Sequence, residues 1–200
     1  MSGKAVIVRQ RRVFDDCFKI DELLVTHGQI DGTMSAVQKR LVFERGDSIA
    51  VLLLHVERKS VVLVKQFKVP ALVARRRDDP STNNGWIVET AAGMIDADET
   101  AEAAAIRETF EETGYRIQRP RLIGKFFSSP GGTSERVFLY FAEISDTDRA
   151  GQGGGIGDED IKVVQMGLDE LFARLARGSI KDPKLLIAAY WLQNRLKSHG

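Results

Sequence analysis

Gly93-Met-Ile-Asp-Ala-Asp-Glu99, then seven residues, then Arg107-Glu108-Thr-Phe-Glu111-Glu112-Thr-Gly114-Tyr115: this stretch decides how the 200-residue chain is read. Ala101, Ala103, Ala104 and Ala105 are strong helix formers and Gly114 is a natural C-terminal stop, so the spacing predicts a helix between them. Asp96 with Glu99 three residues on predicts a capping box at its start. On such a helix Glu108, Glu111 and Glu112 sit at i, i+3 and i+4 and share one face. Like charges at that spacing repel. A helix that gathers them needs a compensating charge, and a hard divalent cation with oxygen ligands supplies one. The competing reading is a solvated acidic face, which is what most charge runs are.

Working outward, the composition is that of a globular protein, 43% hydrophobic and 28% charged, enough for one sizeable domain or one domain with a small appendage. A net charge of +1 argues against a general polyanion binder. The single cysteine, Cys17, can make no internal disulfide and fits a reducing compartment. Residues 1–20 show no apolar signal segment, and no run reaches the roughly 18 apolar residues of a spanning helix. The expectation is a cytoplasmic protein without membrane or nucleic-acid partners; Arg75-Arg76-Arg77, followed by two aspartates, reads as a solvated loop.

In chain order, residues 4–13, 17–26 and 33–43 read as strands that are thin in core residues and call for something to pack against, either a partner subunit or the main domain. Ser48–Val56 and Ser60–Phe67 form a predicted hairpin around Glu57-Arg58-Lys59, and their nearly continuous apolar runs predict burial on both faces. A polar connector over 75–85 leads to a short strand at Trp86–Thr90 and then to the glutamate helix. Strands follow near Arg121–Phe127, Arg136–Ile144 and Ile161–Met166. Between the last two, Gly151–Gly157 places five glycines in seven residues, which predicts a flexible loop. Helices at 168–177 and 183–196 close the chain, the second with Ile187, Tyr190, Trp191 and Leu192 as its apolar side. Strands around a central helix, with helices at the end, predict a mixed α/β sandwich.

The full pattern (glycine, five residues, Glu, seven residues, Arg-Glu, two residues, Glu-Glu, one residue, Gly) resembles the signature of the Nudix hydrolases. Every charged and glycine position is filled; Thr109 stands where an aliphatic residue is usual, and Tyr115 is bulky for the last apolar position. The resemblance implies an α/β fold, a Nudix-type α/β/α sandwich with a mixed sheet plus an N-terminal antiparallel strand region. It divides the chain into a strand region at 1–45 and a hydrolase domain at 46–200. Glu108 and Glu112, with the Ala92 carbonyl, are the implied metal ligands, for magnesium or alternatively manganese. Arg107 is implied to orient the glutamates, with Glu99 in support, and Gly93 to allow close backbone approach. Glu159, after the glycine loop, is implied to bind metal or activate water, and Glu111 is the other candidate base.

Beyond the signature, Ser129-Pro130-Gly131-Gly132-Thr-Ser-Glu135, the Gly153–Ile161 loop and Gly178-Ser-Ile-Lys181-Asp182-Pro-Lys184 are similar to the GDP-mannose pyrophosphatase branch, which is close to the ADP-ribose pyrophosphatases. That similarity spans about residues 10–195. It implies a homodimer through the N-terminal strands and substrate-binding roles for Lys39, Arg40, Lys68, Gly93, Glu135, Asp158 and Lys184. Lys68 stands where an arginine is usual, Gly157 replaces an acidic residue, and Cys17 takes the place of an aromatic. The implied reaction is magnesium-dependent cleavage of the pyrophosphate of a nucleoside diphosphate sugar, with GDP-mannose giving GMP and mannose 1-phosphate. ADP-ribose is the alternative substrate, and a non-catalytic nucleotide-sugar sensor the alternative class.

Overall fold

The computed structural model of the protein describes residues 3–16, 18–75, 84–157 and 159–198. Cys17, Asp158 and nearly all of the 75–85 connector therefore lie outside the described residues, as does any placement expected for them. The chain forms two compact units: Met1–Asp47 with Phe126–Val137, and Ser48–Lys125 with Phe138–Gly200.

The first unit holds an antiparallel sheet of β1 (Ala5–Asp15), β2 (Lys19–His27) and β3 (Gln38–Glu44), with β2 in the centre. Asp21 on β2 is its buried polar residue. It accepts a hydrogen bond from the Gln10 amide at 2.8 Å and pairs with the Arg12 guanidinium, which holds its carboxyl below the usual range. Phe18 and Phe43 meet edge to face at 5.1 Å. The strand expected over 33–43 begins only at Gln38. Upstream, the Asp31 carboxylate accepts the Thr33 N–H at 2.9 Å and Gln29 N–H reaches the Thr33 carbonyl at 2.7 Å, so side-chain and turn bonds take the backbone groups that a strand would need.

The second unit is built on a mixed seven-stranded sheet whose path runs β10-β5-β4-β9-β8. Its strands are β4 (Ser48–His55), β5 (Ser60–Phe67), β6 (Trp86–Glu89), β7 (Ala91–Met94), β8 (Arg121–Phe127), β9 (Arg136–Ile144) and β10 (Ile161–Gly167). All eight residues of β4 are buried, as the apolar run predicts. β4 and β5 pair only between Leu53–His55 and Ser60–Val62. Where they part, β6 pairs with the far end of β5 and β7 with the near end of β4, so the chain crosses from one strand to the other at Glu89-Thr90-Ala91.

On one face Ile49, Val51 and Leu53 pack with Ala104 and Ala105 of α2 (Ala101–Thr113), together with Tyr115, Ile117 and Tyr140. By strand alternation Ala50, Leu52 and Leu54 point to the other face. There α3 (Leu168–Ala176) lies against β10 and α4 (Pro183–Lys197) against β4, with the Trp191 ring tilted at 52° against Phe141, 4.9 Å between centroids. The buried side of α4 is Leu185, Ala188, Ala189 and Leu192, whereas Ile187 and Tyr190 are exposed. The small alanines bring the helix close to the sheet and turn the bulkier pair outward. A short helix not foreseen from the sequence, α1 (Val69–Arg75), follows β5. Among the described residues no helix is long and apolar enough to cross a membrane.

Candidate active site

The Thr100 hydroxyl accepts the Ala103 N–H at 3.1 Å and starts α2; Gly114, at φ 76°, ends it. The expected Asp96–Glu99 box is therefore not the cap. The Glu99 carboxylate is taken by Arg107 instead, whose Nε and Nη2 donate to its two oxygens at 3.0 and 2.8 Å. This two-point pair holds Glu99 below the usual carboxylate range. The same guanidinium donates through Nη1 to Glu108 at 2.8 Å and Glu111 at 3.2 Å, and through Nη2 to the Met94 carbonyl at 3.2 Å. Arg107 thus ties three glutamates to the end of β7.

Glu112 lies deeper, 3% exposed, and its Oε2 accepts the Ala92 N–H at 3.0 Å. Burial pushes its carboxyl up to about 8. The Ala92 N–H and Lys68 oppose that rise, while the charges of Glu108 and Glu89 add to it. Burial also raises Glu108, against the pull of Arg107, and Glu111 and Glu159 add to that rise. Gly93 explains how the carboxylate can come so near the sheet. A Cβ at that position would stand 1.9 Å from Glu108 Oε1, so the space a side chain would fill is the cradle of the carboxylate.

The glycine loop is stitched to the end of α2. Gly154 N–H donates to the Glu112 carbonyl at 2.9 Å, Gly155 N–H to Glu111 at 3.0 Å, and Ala150 and Gly151 N–H to Gly114. The last carbonyls of a helix lack partners within it, and loop amides supply them here. A Cβ on Gly153 would fall 2.6 Å from the Glu112 carbonyl oxygen, so these glycines serve close approach. Glu159, at the far side of the loop, is exposed and accepts the Ile156 N–H at 3.0 Å.

The remaining expected residues divide between the units. Lys68 and Lys184 belong to the second, where Nζ of each lies 3.0 Å from the Glu89 carboxylate; Lys184 also donates to Asp182 at 2.6 Å. Lys39, Arg40 and Glu135 belong to the first. There Lys39 Nζ lies 3.5 Å from Glu22, Arg40 donates to the Lys39 carbonyl at 2.9 Å, and Glu135 accepts the Ser128 hydroxyl at 2.9 Å. Glu89, 4% exposed, is the residue that the sequence reading missed. The only local signal was an acidic residue at the end of a short apolar strand.

Two other features compete for attention. His55, Glu57 and Asp146 converge closely enough to hold a metal ion, but the Arg58 guanidinium already sits on Asp146 and neutralises it. A cavity of about 470 Å³ lies between Trp86–Val88 and the Arg177–Lys181 turn, and its lining contains none of the signature glutamates. The signature site is better suited to a hard divalent cation. It offers only oxygen donors, it leaves a side-chain-free cradle at Gly93, it raises Glu108 by burial, and it buries in Glu112 a carboxyl, pushed up to about 8, that a nearby positive charge would help to ionise.

A mixed sheet carrying such a glutamate helix defines a hydrolase of the pyrophosphatase class. The chain belongs to the NUDIX family: the NUDIX domain model matches residues 44–187. It is 34% identical over 195 residues to a GDP-mannose pyrophosphatase of Cronobacter sakazakii, covering 98% of both chains. It is 33% identical to a GDP-mannose pyrophosphatase of Citrobacter koseri, covering 97% of both. A solved structure described as an ADP compounds hydrolase superposes with a TM-score of 0.71 over 98% of this chain and 96% of that one; at 16% identity the likeness is one of fold.

Proposed function

We propose that the chain hydrolyses the pyrophosphate bond of nucleoside diphosphate sugars with magnesium, and that GDP-mannose is the favoured substrate, giving GMP and mannose 1-phosphate. The observation that carries this reading is Glu112, buried beside Glu108 against the Gly93 cradle. The full-length likeness to GDP-mannose pyrophosphatases supports the substrate class. Glu108, Glu112, Glu159 and the Ala92 carbonyl would hold magnesium, which supplies charge to the phosphoryl oxygens and acidifies a bound water.

The chain's own residues do the rest. Arg107 fixes the directions of Glu99, Glu108 and Glu111. Glu111 or Glu159 takes the proton of the attacking water as its oxygen bonds to phosphorus and the P–O–P bridge breaks. Lys68 and Lys184 donate to phosphate oxygens, and Gly93 also contributes to substrate binding. Lys39, Arg40, Glu135 and Asp158 read the sugar and base. The strand region at 1–45 forms a homodimer, a role supported by β1, whose eleven residues are all exposed and include Ile7 at 58% and Val8 at 55%. The 46–200 segment is the hydrolase domain.

The test is turnover with magnesium on a panel of GDP-mannose, ADP-ribose and dinucleotides, with product analysis. Release of GMP and mannose 1-phosphate at the highest rate is the expected result. A clear lead for ADP-ribose overturns the substrate, and binding without turnover at any divalent metal overturns the reaction in favour of a sensor.

A further inference from the structure

We infer that Glu89 is a positioning residue for the reaction: it clamps Lys68 and Lys184 side by side next to Glu112, so that each ammonium presents its remaining N–H to the diphosphate oxygens of the substrate. The inference rests on the reading of this site as a diphosphate hydrolase. Glu89 is the last residue of β6, paired with Val64 just before the chain crosses from β5 to β4. Its Oε2 accepts from Lys184 Nζ at 3.0 Å. Its Oε1 lies 3.0 Å from Lys68 Nζ, within ion-pair range but off the line of a hydrogen bond.

The two lysines arrive from distant segments. Lys68 precedes α1 and bonds Gln66; Lys184 stands in the first turn of α4. A cation at a helix N-terminus opposes the helix dipole, so Lys184 needs its carboxylates. Asp182 provides one and at the same time caps α4, accepting the Leu185 N–H at 2.8 Å. Burial alone would lower the Lys184 pKa, yet the charges of Asp182 and Glu89 hold it above its ordinary value. In turn, a carboxylate as buried as Glu89 is stable only with cations against it.

The charges then cancel, with Glu89 and Asp182 against Lys68 and Lys184. The pair is therefore not a free positive patch that attracts any anion. It recognises by direction. An ammonium has three N–H donors; Lys184 spends two, on Glu89 and Asp182, and Lys68 spends one on Gln66. At least one donor on each is left among the described residues, and both Glu89 and Lys68 are close enough to act on the Glu112 carboxyl. Spare donors a fixed distance apart beside the glutamates suit the non-bridging oxygens of a diphosphate.

The test combines steady-state kinetics with inhibition by inorganic pyrophosphate. Glu89→Gln should raise KM for the nucleotide sugar about tenfold or more while kcat falls less, and should weaken pyrophosphate binding by a similar factor, as expected when hydrogen bonds to a charged partner are lost. With Lys68→Met the losses should fall short of additive, because both changes disable one clamp. Unchanged KM and pyrophosphate affinity in Glu89→Gln, or fully additive losses, overturn the inference. If Glu89→Gln does not fold, Lys184→Met must show the same rise in KM, and an unchanged KM there overturns it equally. A wild type that binds pyrophosphate through Glu89 but cleaves no nucleotide sugar would sink the proposed activity and leave the clamp standing.

Discussion

β1 and β4 both carry apolar runs, Val6-Ile7-Val8 and Ile49–Leu54, yet no residue of β1 is buried and every residue of β4 is. β4 is closed on both faces by helices of its own unit. β1 has β2 on one edge and two register shifts, between Ile7 and Arg9 and between Arg12 and Phe14, which interrupt the alternation that would give it a single apolar face. The contrast teaches where each part of the molecule gets its stability. The second unit supplies the residues that pack against its glutamate helix. The first leaves Val6, Ile7, Val8, Val13 and Phe14 exposed.

The largest expected effect lies on the self-contained side. Glu112→Gln should lower kcat by about a thousandfold or more, with circular dichroism unchanged, because it removes a buried carboxylate at the reacting centre; undiminished turnover would remove α2 from the chemistry. Next, Leu52→Ala on β4 should cost about 2–5 kcal/mol in denaturant unfolding, whereas Val8→Ala on β1 should stay within about 0.5 kcal/mol in dilute protein. Equal losses would erase the contrast.

A third effect concerns pH. The Glu112 carboxyl rises from an ordinary 4.5 to about 8, so the folded state keeps a proton that the unfolded chain releases in between. Stability of the metal-free protein is then full below the lower value and is lost as pH rises toward the upper one, by an amount on the order of 5 kcal/mol. Melting curves across that window should slope down for the wild type and flatten for Glu112→Gln, and magnesium should oppose the loss. The smallest effect on stability is expected from Ile7→Asp, within about 0.5 kcal/mol, but sedimentation should show a dimer reduced to a monomer. A mass that does not change would leave β1 facing solvent.

How much of this was legible in the sequence depends on the range over which the signal acts. α2 was legible because alanines, the glycine stop and the glutamate spacing act within a few residues. β4 and β5 were legible as unbroken apolar runs. β7 was not, since Ala91-Ala92-Gly93-Met94 has little strand preference and is extended because the β4 edge is there to pair with it. α1 had a signal that went unread, Pro70 in the first turn of a helix. The carboxylate ring around Arg107 followed from helical spacing, but its sharing among Glu99, Glu108 and Glu111 required the fold. Glu89 was beyond reach, because its partner Lys184 is 95 residues away. Aspartate chemistry at Asp31 cut the third strand short, and alanine packing under α4 kept Leu192 and Trp191 on the expected side but turned Ile187 and Tyr190 outward.

The stitching of the glycine loop to α2 has a mechanical consequence. Gly154 and Gly155 hold the carbonyls of Glu112 and Glu111, two of the glutamates of the proposed site. The segment carrying Glu159 therefore cannot swing outward at its root without unbuttoning the final turn of that helix. The same anchor keeps the backbone of Glu111 and Glu112 in register.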